Sequence, residues 1–283
     1  MAPTRSRPSR PTRTKTVPVD GGTVAYDVLG DGPEVLFLHS VIADRRMWDR
    51  QFSGFSDRHR VIRFDLRGFG GSSAATAPFS CTDDIDALLD HLEVSSAYLV
   101  GSSMGGAMAV DYALARPERV RGLFLAAPGL SGGFPPPFDA DETAAFDYDE
   151  KKSQELSAAW AGKDSARAFE LLRQLWCSAL EGDALALFRR MVEENAAEVF
   201  DNRSLKFARD PPPASPRLPS VRVPTTVLYG DRDNPSSVPF AKRIARGIPG
   251  SRLEVLSGAD HLINLSRPEP FDLALRAALG ELG

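Results

Sequence analysis

At 283 residues, 42% apolar and 25% charged, the chain has the makeup of an ordinary globular protein with room for one large α/β domain. A net charge of −4 offers no basic surplus for nucleic acid, and no run of about 18 apolar residues is present to span a membrane. Cys81 and Cys177 stand far apart without a C-x-x-C or Cys/His companion. That argues against a disulfide framework or a metal site, makes a reducing cytoplasm the expected compartment, and leaves nothing in the chain that calls for a cofactor.

Residues 1–15 carry Arg5, Arg7, Arg10, Arg13 and Lys15, three prolines and no acid. They lack the apolar centre of a secretory signal, and so little apolar area cannot offset the entropy of ordering, so a disordered basic arm is expected. From Thr16 the pattern becomes that of a packed domain. Two short extended runs flank the turn Asp20-Gly21-Gly22. Apolar runs of buried-strand length then follow at Glu34–Leu38, Arg60–Phe64, Ala97–Val100, Val120–Ala126, Thr225–Tyr229 and Arg252–Leu256. Helical periodicity falls between most of them, at Met47–Phe55, Asp83–Leu92, Met104–Arg116, Val238–Gly247 and Pro268–Leu279. Strands alternating with helices predict a mostly parallel sheet covered on both faces.

The alternation breaks between Ser131 and Leu218. Helical patterns occur there at Ser165–Leu180 and Ala184–Val199, with Pro135–Pro137 on one side and Pro211–Pro213 on the other. The predicted organisation is therefore a core of residues 16–130 and 219–283, with residues 131–218 forming a helical cap inserted before the last two strands.

Gly101-Ser102-Ser103-Met104-Gly105 matches G-x-S-x-G. An apolar strand ends at Gly101 and a helical run begins after Ser103, the strand-turn-helix context in which such a serine is lifted out of the sheet. The flanking glycines let neighbouring backbone come close without a Cβ clash. A serine hydroxyl needs a base, and only four histidines are available. His91 lies in a helical segment and His59 in a charged approach to a strand, so both read as surface or helix-flank residues. His39 ends a strand and suits shaping a site. His261 lies in Ser257–His261, the loop after the last strand, at the sheet edge where open α/β sheets place their sites. A carboxylate to orient that base should come between nucleophile and base in chain order. Gly230-Asp231-Arg232-Asp233 follows the penultimate strand and supplies two candidates, Asp231 and Asp233. For an oxyanion hole, one N–H should come from Met104, the residue after the nucleophile, and the second from the loop His39–Ile42.

With these motifs, Val17–Leu282 resembles the α/β-hydrolase superfamily, through Asp65–Ser72 and Gly101–Gly106 in particular. The resemblance implies that Asp233 is the acid and that Val41 donates the second oxyanion N–H. His39-Ser40 departs from the more usual His-Gly, and Ser40–Trp48 is similar to the corresponding loop of the 3-oxoadipate enol-lactonase group, which acts on a small acidic lactone. The implied activity is a serine hydrolase cleaving a carboxylic ester or lactone through an acyl-enzyme at Ser103. Carbon–carbon bond hydrolases and perhydrolases share these surroundings, and a non-catalytic receptor or partner protein can keep the fold. Among aromatic residues of the insert, Trp160 and Trp176 are the candidates to line the substrate pocket. Asp44 reads as a helix N-cap, Asp260 as a solvated loop residue, and Arg45 and Arg46 as solvated surface charge. The expected partner is the small ester or lactone alone, and oligomeric state is left open.

Overall fold

The computed structural model describes residues 14–281. The basic arm therefore lies outside the described residues, apart from Thr14 and Lys15. In chain order the elements are β1 (Lys15–Val19), β2 (Gly22–Leu29), β3 (Glu34–Leu38), α1 (Asp49–Gly54), β4 (Arg60–Phe64), α2 (Cys81–His91), β5 (Ala97–Ser102), α3 (Met104–Ala115) and β6 (Val120–Ala126). Between β6 and β7 (Thr225–Gly230) come α4 (Ala140–Ala161), α5 (Ser165–Trp176), α6 (Gly182–Glu194) and α7 (Ala196–Asp201). The chain closes with α8 (Ser237–Gly247), β8 (Arg252–Leu256), α9 (Ile263–Ser266) and α10 (Pro268–Ala278).

The strands form one sheet in the order β1-β2-β4-β3-β5-β6-β7-β8. β1, β2 and β4 pair antiparallel, and from β4 onward every pairing is parallel. Alternation along the central strands divides the core into two layers. Leu36 and Leu38 of β3 and Leu123 and Leu125 of β6 meet Ile85, Leu88, Tyr112 and Ile244 from α2, α3 and α8. Val35, Phe37 and Phe124 point the other way, toward Trp48, Phe55 and Phe271. Both faces of these central strands are buried, which is why they read as apolar runs. Among the described residues, no helix is long and apolar enough to cross a membrane.

The insert departs from its sequence pattern in two places. The 22-residue α4 shows no apolar stripe from which periodicity would find it, and none of its residues is buried. The single helix expected over Ala184–Val199 is two, broken where Asn195 adopts φ −111° and ψ 22°.

Candidate active site

β5 runs into α3 through Ser103, whose backbone sits at φ 55° and ψ −117°. That left-handed conformation is costly for a residue with a Cβ and marks a position held by its surroundings. The Ser103 N–H donates to the Ala126 carbonyl (3.0 Å), and the Ser103 carbonyl accepts from Gly106 and Gly129. Gly101 and Gly105 make the sharp turn sterically feasible. A Cβ on Gly101 would lie 2.3 Å from the Gly105 carbonyl oxygen, and one on Gly105 would lie 2.2 Å from that of Leu38.

His261 and Asp233 meet at the same carboxyl edge of the sheet, after β8 and β7. His261 Nδ1 donates to Asp233 Oδ1 at 2.9 Å, with both residues buried. Asp233 Oδ1 also accepts from the Asn234 N–H (2.6 Å) and the Ser237 hydroxyl (3.1 Å). With the proton on Nδ1, Nε2 of the neutral ring is an acceptor. Burial opposes charge on this imidazole, but Asp233, aided by Asp260 and Asp149, outweighs it and holds the His261 pKa above the usual histidine value. Asp231 goes elsewhere: it is exposed and accepts from the Gly258 N–H (2.6 Å) and the Ser257 hydroxyl (2.9 Å), which lower its pKa. Among the described residues no hydrogen bond joins the Ser103 hydroxyl to the imidazole. Serine–histidine contacts are often loose until substrate is bound.

A cavity of about 820 Å³ opens beside Ser103, with Val41, Met104, Ala107, Met108 and Leu130 on its apolar wall. The Met104 N–H is in the first turn of α3, where no intrahelical acceptor exists, and the Val41 N–H has no partner among the described residues. The Val41 loop is anchored from below. His39 Nδ1 donates to the Ser40 carbonyl (2.8 Å) while its Nε2 accepts from the Leu66 N–H (2.9 Å). That pairing requires a neutral ring, in keeping with a pKa that burial lowers.

Several sequence expectations change here. Trp176 is not among the residues lining the Ser103 cavity but stands against His261, its ring centroid 4.6 Å from the imidazole's, and its carbonyl accepts the His261 N–H (3.0 Å). Trp160 is not brought to the Ser103 cavity. It stacks on Phe200 at 4.4 Å, donates to Asp201 and lines a separate depression. Asp260 is fully buried instead of solvated: its carboxylate accepts from the N–H groups of Ala179 (3.0 Å) and Leu262 (3.1 Å). Arg45 is not a solvated charge either, being paired with buried Asp27 and Asp65, and Arg46 pairs with buried Asp44. Asp44 does cap the short turn that follows it, accepting from the Arg46 N–H (2.9 Å). His59 is buried against Glu281, with 2.6 Å between Nε2 and Oε1. Apart from the Asp44–Arg46 and Asp260–Leu262 contacts, these partners are remote in sequence, so local composition carried no sign of them. Asp149 and Asn195 were missed altogether. Asp149 in α4 accepts from Asn234 Nδ2 (2.7 Å), next to Asp233. The one local cue to Asn195 was an asparagine inside a helical run, where this residue type favours a cap. Among the described residues no cluster of three or more His, Cys, Asp or Glu side chains is arranged to hold a metal ion.

The sequence pattern of the alpha/beta hydrolase family matches residues 35–272. The chain is 28% identical over 265 residues to 3-oxoadipate enol-lactonase 2 of Acinetobacter baylyi, covering 88% of this chain and 89% of that protein. It is 24% identical over 248 residues to carboxylesterase YbfK of Bacillus subtilis, covering 84% and 77%. A thermophilic esterase from Thermogutta terrifontis superposes with a TM-score of 0.76 at 26% identity, covering 95% of this chain and 98% of that one. The chain belongs to the alpha/beta hydrolase family and is a hydrolase.

Proposed function

We propose that the protein cleaves a small carboxylic ester or lactone through an acyl-enzyme on Ser103. His261 Nε2 takes the hydroxyl proton as Oγ attacks the acyl carbon, then returns it to the departing alkoxide. Water, deprotonated by the same nitrogen, releases the acid. Asp233 fixes the tautomer and stabilises the imidazolium, and the N–H groups of Val41 and Met104 receive the developing oxyanion. The observation that carries this reading is Ser103 in a strained backbone conformation at the end of β5, on the sheet edge that holds the His261–Asp233 pair. The 131–218 insert serves as the cap: its Leu205, Arg209 and Pro211 face Val41 and Met104 of the core across one cavity. Similarity to a lactonase and to esterases supports the choice of acyl substrate. A fluorophosphonate probe is expected to label Ser103 in the wild type and to give no adduct in Ser103→Ala, whose turnover falls on the order of 10⁶-fold. A wild type that takes no label and hydrolyses no ester or lactone overturns the reading in favour of a non-catalytic receptor.

A further inference from the structure

Asn195 is only 4% exposed although it belongs to the insert, at the junction of α6 and α7. Its carboxamide uses both ends. Nδ2 donates to Asp44 Oδ2 (2.8 Å) and to the Met191 carbonyl (2.7 Å), while Oδ1 accepts the Gly70 N–H (2.7 Å). The opposite amide orientation would set Nδ2 against an N–H and Oδ1 against a carboxylate, so the network admits one assignment. The two core loops gripped in this way are the ones beneath the site. Asp44, itself 1% exposed, directly follows the turn Ser40–Ala43, which the Ala43 N–H closes on the Ser40 carbonyl (3.0 Å), and its own carbonyl accepts the Met47 N–H (3.0 Å). Val41 lies inside that turn. Gly70 belongs to the loop in which Asp65 accepts from the Gly71 N–H (2.9 Å) and from the Arg45 N–H (2.9 Å). A purely space-filling contact between insert and core would need only an apolar side chain. A buried amide matched to a carboxylate, a carbonyl and an N–H is directional, and without it Asp44 would keep only Arg46 and the Gly70 N–H would be left unpaired, which is costly.

We propose that Asn195 is a positioning residue for acyl transfer, setting the Val41 N–H through Asp44, so that the insert completes the oxyanion site besides covering it. The inference rests on the Ser103 acyl-transfer reading. It implies that the insert stays docked at this point during turnover, since lifting it would strip Asp44 of its amide donor.

The test uses the full chain and measures kcat per site titrated with fluorophosphonate, KM for an activated ester, and affinity for phenylboronic acid, which forms a tetrahedral adduct. In Asn195→Ala, kcat per titrated site is expected to fall about 10- to 100-fold, the scale of a small misplacement of a reacting group. Boronate affinity should fall alongside it and KM should stay within about threefold. Asn195→Asp keeps the shape and the acceptor for Gly70 but faces Asp44 with a second carboxylate. It should lose at least as much, and the double variant Asp44→Asn/Asn195→Asp, which reverses donor and acceptor across the pair, should recover about fivefold or more over that single change. A loss confined to melting temperature, with kcat per titrated site within about threefold of wild type in both single variants, makes Asn195 a plain structural anchor and overturns the proposal. A fall in kcat with unchanged boronate affinity overturns it as well. Should the wild type take no label at Ser103, the acyl-transfer reading fails by itself. Amide exchange then decides: faster exchange at Ala43 and Met47 in Asn195→Ala supports the brace, and unchanged exchange overturns it.

Discussion

The two halves of the insert are held in place by different physics. α5 and α6 bury Phe169, Leu172, Phe188 and Met191 in the core layer that also contains Phe124 of β6. α4, nearly twice as long as either, buries nothing fully. It is tied to the core by Asp149 to Asn234, by Glu142 to Arg243, and by Phe146 against Phe240 of α8 at 6.0 Å between ring centroids. Apolar burial is strong and tolerant of direction, whereas a hydrogen bond is weak in net stability and strict in geometry. The first half thus supplies stability and carries Trp176 and Asn195 to the site at its helix ends. The second touches the loop that bears Asp233 through the Asp149–Asn234 hydrogen bond.

Breaking the site itself has the largest expected effect. Asp233→Asn should lower turnover by roughly 10³ to 10⁴ with the fold intact, while Asp231→Asn, at a carboxylate that meets Ser257 and Gly258, should cost less than about tenfold. Turnover on one activated ester near pH 8, with melting temperature for each variant, separates the two acids; a deeper loss in Asp231→Asn would move the acid role two residues back. The same variant carries a pH signature. The base must be neutral to accept a proton, so kcat/KM should rise with pH through a His261 pKa above the usual value near 6.5. Removing the Asp233 charge leaves burial to dominate and should bring that inflection down. A profile that does not move would mean that another carboxylate governs the imidazole.

The next effect tests the apolar half of the insert. Phe188, fully buried, packs on Phe169 at 5.7 Å between ring centroids. Phe188→Ala should cost about 3–5 kcal/mol of stability in denaturant unfolding, while kcat per titrated site changes little. Asp149→Ala should invert that pattern, lowering kcat about three- to tenfold while changing stability by roughly 1 kcal/mol or less. If both variants lose stability and turnover in the same proportion, the contrast between the halves is wrong. The smallest effect belongs to Trp160→Ala. Its ring stacks on Phe200 away from the Ser103 cavity, so the ratio of short- to long-acyl activity should shift by less than about twofold. Trp176→Ala, which removes the ring against His261, should change turnover on every ester alike.

By itself, the sequence determined what depends on local order along the chain. The central strands were legible because burial on both faces imposes a nearly unbroken apolar run, and the hairpin around Asp20 because its turn residues mark it. Gly101–Gly105 was legible because a strained turn between strand and helix demands glycine at set positions. α5 and the apolar part of α6 were legible from their stripes, and α4 was not, because a helix held by scattered polar contacts and a few partly buried side chains has no stripe to read. Tertiary structure decided everything that depends on which distant groups meet. Asp231 and Asp233 are chemically identical and two residues apart, yet only Asp233 comes within 2.9 Å of His261. Asp260 and Arg45 looked solvated because charged side chains in loops usually are, yet the Ala179 N–H and the Asp65 carboxylate meet them in the interior. Asn195 looked like one more helical position until the fold set it between Asp44 and Gly70, 151 and 125 residues away. A charge or amide leaves no periodic trace of its partner, since a hydrogen bond depends on proximity in space alone, and chain closure between remote loops is what creates that proximity.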